Sequence, residues 1–135
     1  HQSEISMALT VTGFSSSTLT YKLASETNAS DSASVDIFGG AGRVHSICFA
    51  NESTSNAAYL KIKITSGTVT VGTTEPDLMF HLAAAASSSY ADRSVMKVDI
   101  PNGLSFSQFS FWVTDAPGTS DTGDPGTVTV QVLAS

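Results

Sequence analysis

Residues 57–82 read AAYLKIKITSGTVTVGTTEPDLMFHL, and this stretch decides the fold class. Leu60, Ile62 and Ile64 fall on one side of an extended chain and Tyr59, Lys61, Lys63 and Thr65 on the other, the period of two of a strand with one buried face. Ser66-Gly67 supplies a tight turn, since glycine tolerates the positive φ such turns need. Residues 68–71 are therefore predicted to run back as a second strand with Val69 and Val71 inward. Gly72 to Asp77 is read as a loop in which Pro76 fixes its own φ and biases Glu75 toward extended geometry. A third strand then carries Leu78, Phe80 and Leu82 in alternation with Met79 and His81.

The same alternation recurs on both sides. Met7, Leu9 and Val11 predict a first strand ending at Gly13, and Leu19, Tyr21 and Leu23 a second, followed by a polar loop over 25–34. Val35 and Ile37 mark a third strand, closed by Gly39-Gly40-Ala41-Gly42. Arg43 to Ala50 is apolar on both faces, as expected of a strand covered on both sides. Asn51 to Asn56 is a turn-rich break. Four alanines at 83–86 favour helix, but Ser87 to Ser89 leave room only for a single turn or an ordered loop. Met96, Val98 and Ile100 predict a strand stopped by Pro101-Asn102-Gly103. Phe109, Phe111 and Val113 define the next inward face, with Trp112 on the opposite one. Residues 116–126 are the longest loop signal, and Val128, Val130 and Val132 close the chain.

About nine short strands with almost no helix predict an all-β fold: an antiparallel β-sandwich of jelly-roll or immunoglobulin-like type. The 135 residues suit one domain, with residues 1–13 either an N-terminal arm or its first strand. The single cysteine, Cys48, cannot form an internal disulfide and suits a small buried hydrophobe. Six Lys and Arg against twelve Asp and Glu give a formal charge of −6, with no basic residue after Lys97, which argues against nucleic acid as a partner. No apolar run has the length of a transmembrane helix. Only 13% of residues are charged while Ser and Thr exceed a quarter, a habit of β-rich proteins that work outside cells or in multimeric shells.

Candidate chemistry is sparse. No Gly-x-Ser-x-Gly elbow surrounds any serine, and His1, His45 and His81 lack the short spacing of a metal pair, so no catalytic, cofactor or metal residues are assigned and the chain is read as a non-enzyme. Asp115, Asp121 and Asp124 could gather around Ca²⁺, but they match no known spacing, and a solvated acidic loop is the favoured reading. The glycines at 39–42 lack the Lys-Ser/Thr ending of a phosphate loop and lead into a strand. Asn28-Ala29-Ser30 and Asn51-Glu52-Ser53 match glycosylation sequons. Tyr59 and Trp112, on the polar sides of their strands beside Lys61 and Lys63, form the candidate interface. The competing reading of those four residues is a second layer packed over their face.

The segments FGGAGRV (38–44), NAAYLK (56–61), TVGTTEPD (70–77) and NGLSFS (102–107) occur in an order that resembles small virion structural proteins of tailed bacteriophages, of the marine and cyanobacterial phage type. The likeness spans 35–134. It implies a component of the particle exterior, either a capsid decoration (cement) protein or a fibre- or tail-associated domain, and it brings no catalytic residues. Its partners would be the major capsid protein or other virion subunits, with the chain itself a symmetric homo-oligomer. Residues 7–23 lie outside the likeness and are read as a strand that could be given to a neighbouring subunit. The alternative is a receptor- or carbohydrate-binding module of a phage fibre or of a secreted protein.

Overall fold

The computed structural model describes residues 8–15 and 20–135. The described residues form eight strands: β1 (Leu9–Ser15), β2 (Thr20–Glu26), β3 (Gly42–Asn51), β4 (Ala58–Lys63), β5 (Leu78–Leu82), β6 (Ser94–Phe106), β7 (Ser110–Thr114) and β8 (Val128–Ala134). The alanine- and serine-rich residues 83–89 form an ordered loop, one of the two outcomes expected there, and a 3₁₀ turn follows at Tyr90–Asp92. The strands form two antiparallel sheets, a larger one in the order β1-β2-β8-β3-β6 and a smaller one in the order β5-β4-β7. Met7, Leu19 and most of the expected N-terminal arm lie outside the described residues; from Leu9 onward that segment is strand.

The predicted third strand at Val35 and Ile37 is reduced to a single bridge, Ser34 to Phe111, because Asp36 takes a positive φ of 49° and breaks the ladder. The segment still runs along β7. Ser34 N–H donates to Phe111 O at 2.8 Å, Ile37 N–H to Phe109 O at 2.9 Å, and Val113 N–H to Ser30 O at 2.8 Å. Counting this degenerate strand before β3, the antiparallel partners nest one inside another along the chain. They run β2 with β8, the Ser34 segment with β7, β3 with β6, and β4 with β5. A long hairpin wound up in this way is a jelly roll, which decides between the two sandwich types expected.

The core lies between the sheets. Val44, Ile47 and Phe49 of β3 and Val128, Val130 and Val132 of β8 face Leu60 and Ile62 of β4 and Phe111 and Val113 of β7, all nearly fully buried. An irregularity between Val44 and Ser46 lets β3 keep Val44 and Ile47 on one face although they are three residues apart. Phe38, Phe106 and Phe109 close one end, with ring centroids 5.5–6.0 Å apart. Pro101-Asn102-Gly103 does not end β6 but interrupts its pairing: Asp99 opposes Ser46 and Leu104 opposes Val44, and the intervening residues bulge outward. Cys48 is half-buried on the outer face of the larger sheet, not in the core.

Residues 68–71 are not a strand. Asp77 explains why: its N–H donates to Ile62 O, and its carboxylate accepts Ile64 N–H at 2.8 Å and the Thr65 hydroxyl at 3.2 Å. The chain that returns to β4 is thus Asp77 to Leu82, and residues 66–76 are left as an excursion closed by Thr74 N–H to Thr70 O and Thr70 N–H to Thr74 Oγ1.

Candidate functional site

The outer face of the smaller sheet carries the four residues singled out from sequence. Register places Tyr59 between His81 and Thr114, Lys61 between Met79 and Trp112, and Lys63 beside Ser110. The alternation was thus read correctly, with Leu60 and Ile62 inward. The exposure was not. Lys61 is 0% exposed and Trp112 1%, whereas Tyr59 and Lys63 are half-buried. Lys61 and Trp112 therefore cannot belong to an open interface.

The cover consists of two loops, not a second sheet. Residues 115–126 fold back over β4 and β7, with Thr114 Oγ1–H donating to Ala116 O at 2.8 Å and Asp115 N–H to Gly123 O at 3.0 Å. Lys61 Nζ rises from the sheet and donates to Gly118 O at 2.7 Å. The 66–77 excursion abuts this roof at Gly72, where φ is +93° and an added Cβ would lie 2.9 Å from the Thr122 side chain. The loop read from sequence at 72–77 thus meets the loop read at 116–126, through Gly72 and Thr122, beside the face carrying Lys61 and Trp112.

Asp115 and Asp121 are neighbours within the roof. Asp121 accepts the Ala116 N–H at 3.1 Å and its own N–H donates to Gly118 O at 3.0 Å. Interaction with the neighbouring Asp121 side chain, together with burial and the charges of Asp121 and Asp124, pushes the Asp115 carboxyl above the ordinary carboxylate value. Burial lowers the Lys61 pKa, opposed by the attraction of Asp121 and then of Asp115. Among the described residues no group of three His, Cys, Asp or Glu is placed to hold a metal ion, so the Ca²⁺ arrangement of Asp115, Asp121 and Asp124 is not formed. The cation on offer to these carboxylates is the lysine. No spacing rule reveals it, because Lys61 lies more than fifty residues from its partners, and Lys63 two residues on carries the same sequence signal yet is only half-buried.

Two further positions bear on function. Tyr59 and His81 stack face to face with centroids 4.6 Å apart, and His81 is exposed. Glu26, assigned from sequence to a polar loop, is the last residue of β2 and is 0% exposed. Its Oε2 accepts the N–H groups of Ala8 and Asn28, both at 2.9 Å, while Oε1 is buried with no hydrogen-bond partner among the described residues. Asn51 is likewise buried, with its amide donating to Asn56 O and Ala83 O and its Oδ1 accepting Ser53 N–H, so the second sequon is closed to modification in the folded chain.

The open edge lies elsewhere. Leu9 and Val11 share the inner face of the larger sheet with Glu26 and Ala24, yet Val11 is 43% exposed because no strand of the smaller sheet covers β1. Among the described residues no strand pairs with β1 on its far side, so a row of its backbone groups has no strand beside it there. No protein-family model matches the sequence, and searches of curated proteins and of solved structures return no match.

Proposed function

We propose that this chain is a non-enzymatic structural protein of a tailed-phage particle, a capsid decoration protein that binds the outside of the shell and stabilises it. The observation that carries the reading is the jelly roll whose β1 edge is unpaired among the described residues, with Val11 43% exposed on its inner face. Jelly rolls serve widely in viral shells, and an open strand edge beside uncovered apolar surface is suited to strand addition by a neighbouring subunit. That fold argument is analogy, and the edge is what gives it a testable site. The contact moves accordingly from Tyr59, Lys61, Lys63 and Trp112 to β1. The major capsid protein, or another virion subunit, supplies the strand, and the acidic Ser/Thr-rich loops face water.

The test is a truncation. A chain beginning at Gly13 should retain the β-sheet circular dichroism of the full chain but fail to co-sediment with shells that lack it. Normal binding by the truncated chain would exclude β1 as the clamp. A second reading, a glycan-binding module, is favoured by the exposed Tyr59–His81 stack, since aromatic faces stack on sugars. A glycan array with Tyr59→Ala addresses it: a sugar binder loses its signal on the substitution, and a shell protein gives none with either chain.

A further inference from the structure

We propose that β6 is a second, self-complementary edge, and that two copies of this chain join antiparallel along it in a two-fold dimer centred on Val98. Among the described residues β6 pairs with β3 alone, and no loop backbone is hydrogen-bonded to residues 95–100 on the other side. Side chains alternate without a break from Ser94 to Pro101. Met96, Val98 and Ile100 are half-buried on the inner face, and Val95, Lys97, Asp99 and Pro101 are exposed on the outer one. The inner three pack on the core, as do Leu78 and Phe80 of the adjoining β5, themselves half-buried. The sandwich is therefore apolar and only partly closed along this side.

Charge selects the occupant. An edge lysine or proline normally turns other strands away, but here the guard fails against one partner. Directly opposed residues of an antiparallel pair share a face, so Lys97 of one copy can meet only Val95, Lys97, Asp99 or Pro101 of another if both cores are to stay on one side. Centring the pair on Lys97 or on Asp99 sets like charges against each other across the axis. Registers further out run β6 of one copy against the Tyr90–Asp92 turn or the bulge after Ile100 of the other. Centring on Val98 sets Lys97 against Asp99 twice, Met96 against Ile100 twice and Val98 against itself, the self-complementary contact a two-fold axis requires. Val95 then falls opposite Pro101, whose missing N–H ends the ladder. Within one chain Lys97 Nζ and Asp99 Oδ1 lie 3.7 Å apart with both side chains 65% exposed; so wetted an ion pair contributes little, and changing partners costs little. The product is one continuous sheet with both smaller sheets on the same side of it, which brings the two half-open β5–β6 sides together. Both β1 edges are left at its outer ends, so this contact does not compete with the one proposed for β1.

Sedimentation velocity of the intact chain at concentrations up to about 1 mM, the weak end of specific association, should show a reversible monomer–dimer equilibrium. Lys97→Asp and Asp99→Lys each set like charges opposite one another at both ends of the contact, and each should weaken dimerisation by about tenfold or more while far-ultraviolet circular dichroism stays native. Asp99→Lys also makes the acidic chain less negative, so its weaker association cannot come from net charge. An equimolar mixture of the two variants should dimerise again, because an acidic edge then meets a basic one. The double exchange, Lys97→Asp with Asp99→Lys, should dimerise like the native chain. A native chain that stays monomeric throughout would overturn the proposal. So would dimerisation that either single variant retains at native strength, or that the mixture or the double exchange fails to restore.

Discussion

The two sheets end differently, and the difference separates stability from recognition. The smaller sheet has three paired strands: its inner side lies on the larger sheet, and on its outer side residues 115–126 cover Lys61 and Trp112 while Met79 and His81 of β5 stay exposed. The larger sheet has five strands; at its β1 end Leu9 still packs on the core but Val11 is 43% exposed, and among the described residues no strand pairs with the far edge of β1. Strand alternation looks the same in both places. Tyr59-Leu60-Lys61-Ile62 and Leu9-Thr10-Val11-Thr12 each separate an inward from an outward set. Side-chain period therefore assigns residues to faces but does not say whether a face is roofed, which depends on where a distant loop lands.

The strongest test of that contrast is Trp112→Ala. If the roof is part of the core, the substitution should cost about 3–5 kcal/mol in chemical denaturation, the range for truncating a buried aromatic. A cost of under about 1 kcal/mol would show that the outer face of β7 is effectively open. Lys61→Ala should come next, at about 2–4 kcal/mol, since it removes buried methylenes and leaves Gly118 O without its donor. Lys61→Met keeps the stem and should cost less than about 1.5 kcal/mol. The gap between Ala and Met measures how much of the lysine acts as packing.

These residues also mark what the sequence could express. The core strands were legible because Leu60, Ile62, Phe111, Val113 and the alternate valines of β8 repeat with a period of two. The sandwich class follows from their number. The nested pairing that makes it a jelly roll was not legible, since it depends on which distant strands meet, and the Ser34 segment carries almost no strand signal of its own. Residues 68–71 looked like a strand because Val69 and Val71 alternate; one carboxylate, Asp77, redirected the ladder by taking the N–H of Ile64. At the candidate site, residue types and faces were read correctly, and exposure was misjudged. Glu26 was missed because a glutamate at the end of a strand pattern reads as the start of a loop, and only the backbone donors of Ala8 and Asn28 explain its burial.

Glu26 links the two regions and gives the intermediate prediction. Its carboxylate holds the chain entering β1 and the chain leaving β2, so Glu26→Ala unpairs two backbone donors at the base of the open hairpin. The expected cost is about 1–3 kcal/mol, with hydrogen exchange accelerated in β1 and β2 and unchanged in β4 and β7. Glu26→Gln keeps an acceptor in place and should recover most of that loss. Equal acceleration in all four strands would mean that the β1–β2 hairpin is no more separable than the smaller sheet, and the contrast between the two ends would collapse.

The smallest effect on stability belongs to β1 itself. Val11 is 43% exposed and contributes little to folding, so Val11→Lys should change the unfolding free energy by no more than about 0.5 kcal/mol. Its effect on binding should be much larger if β1 is where a shell subunit adds its strand. A charge on the inner face of an edge strand opposes apolar contact from a newcomer, the device by which natural sheets avoid edge-to-edge association. Affinity for shells should then fall by about tenfold or more, equivalent to roughly 1.4 kcal/mol. Thr12→Lys, one residue further along and on the opposite face, is the internal comparison: it adds the same charge to the same strand but leaves the inner face apolar, and its loss of affinity should be smaller. Equal losses for the two substitutions would assign the effect to net charge, and no loss for either would remove β1 from the interface.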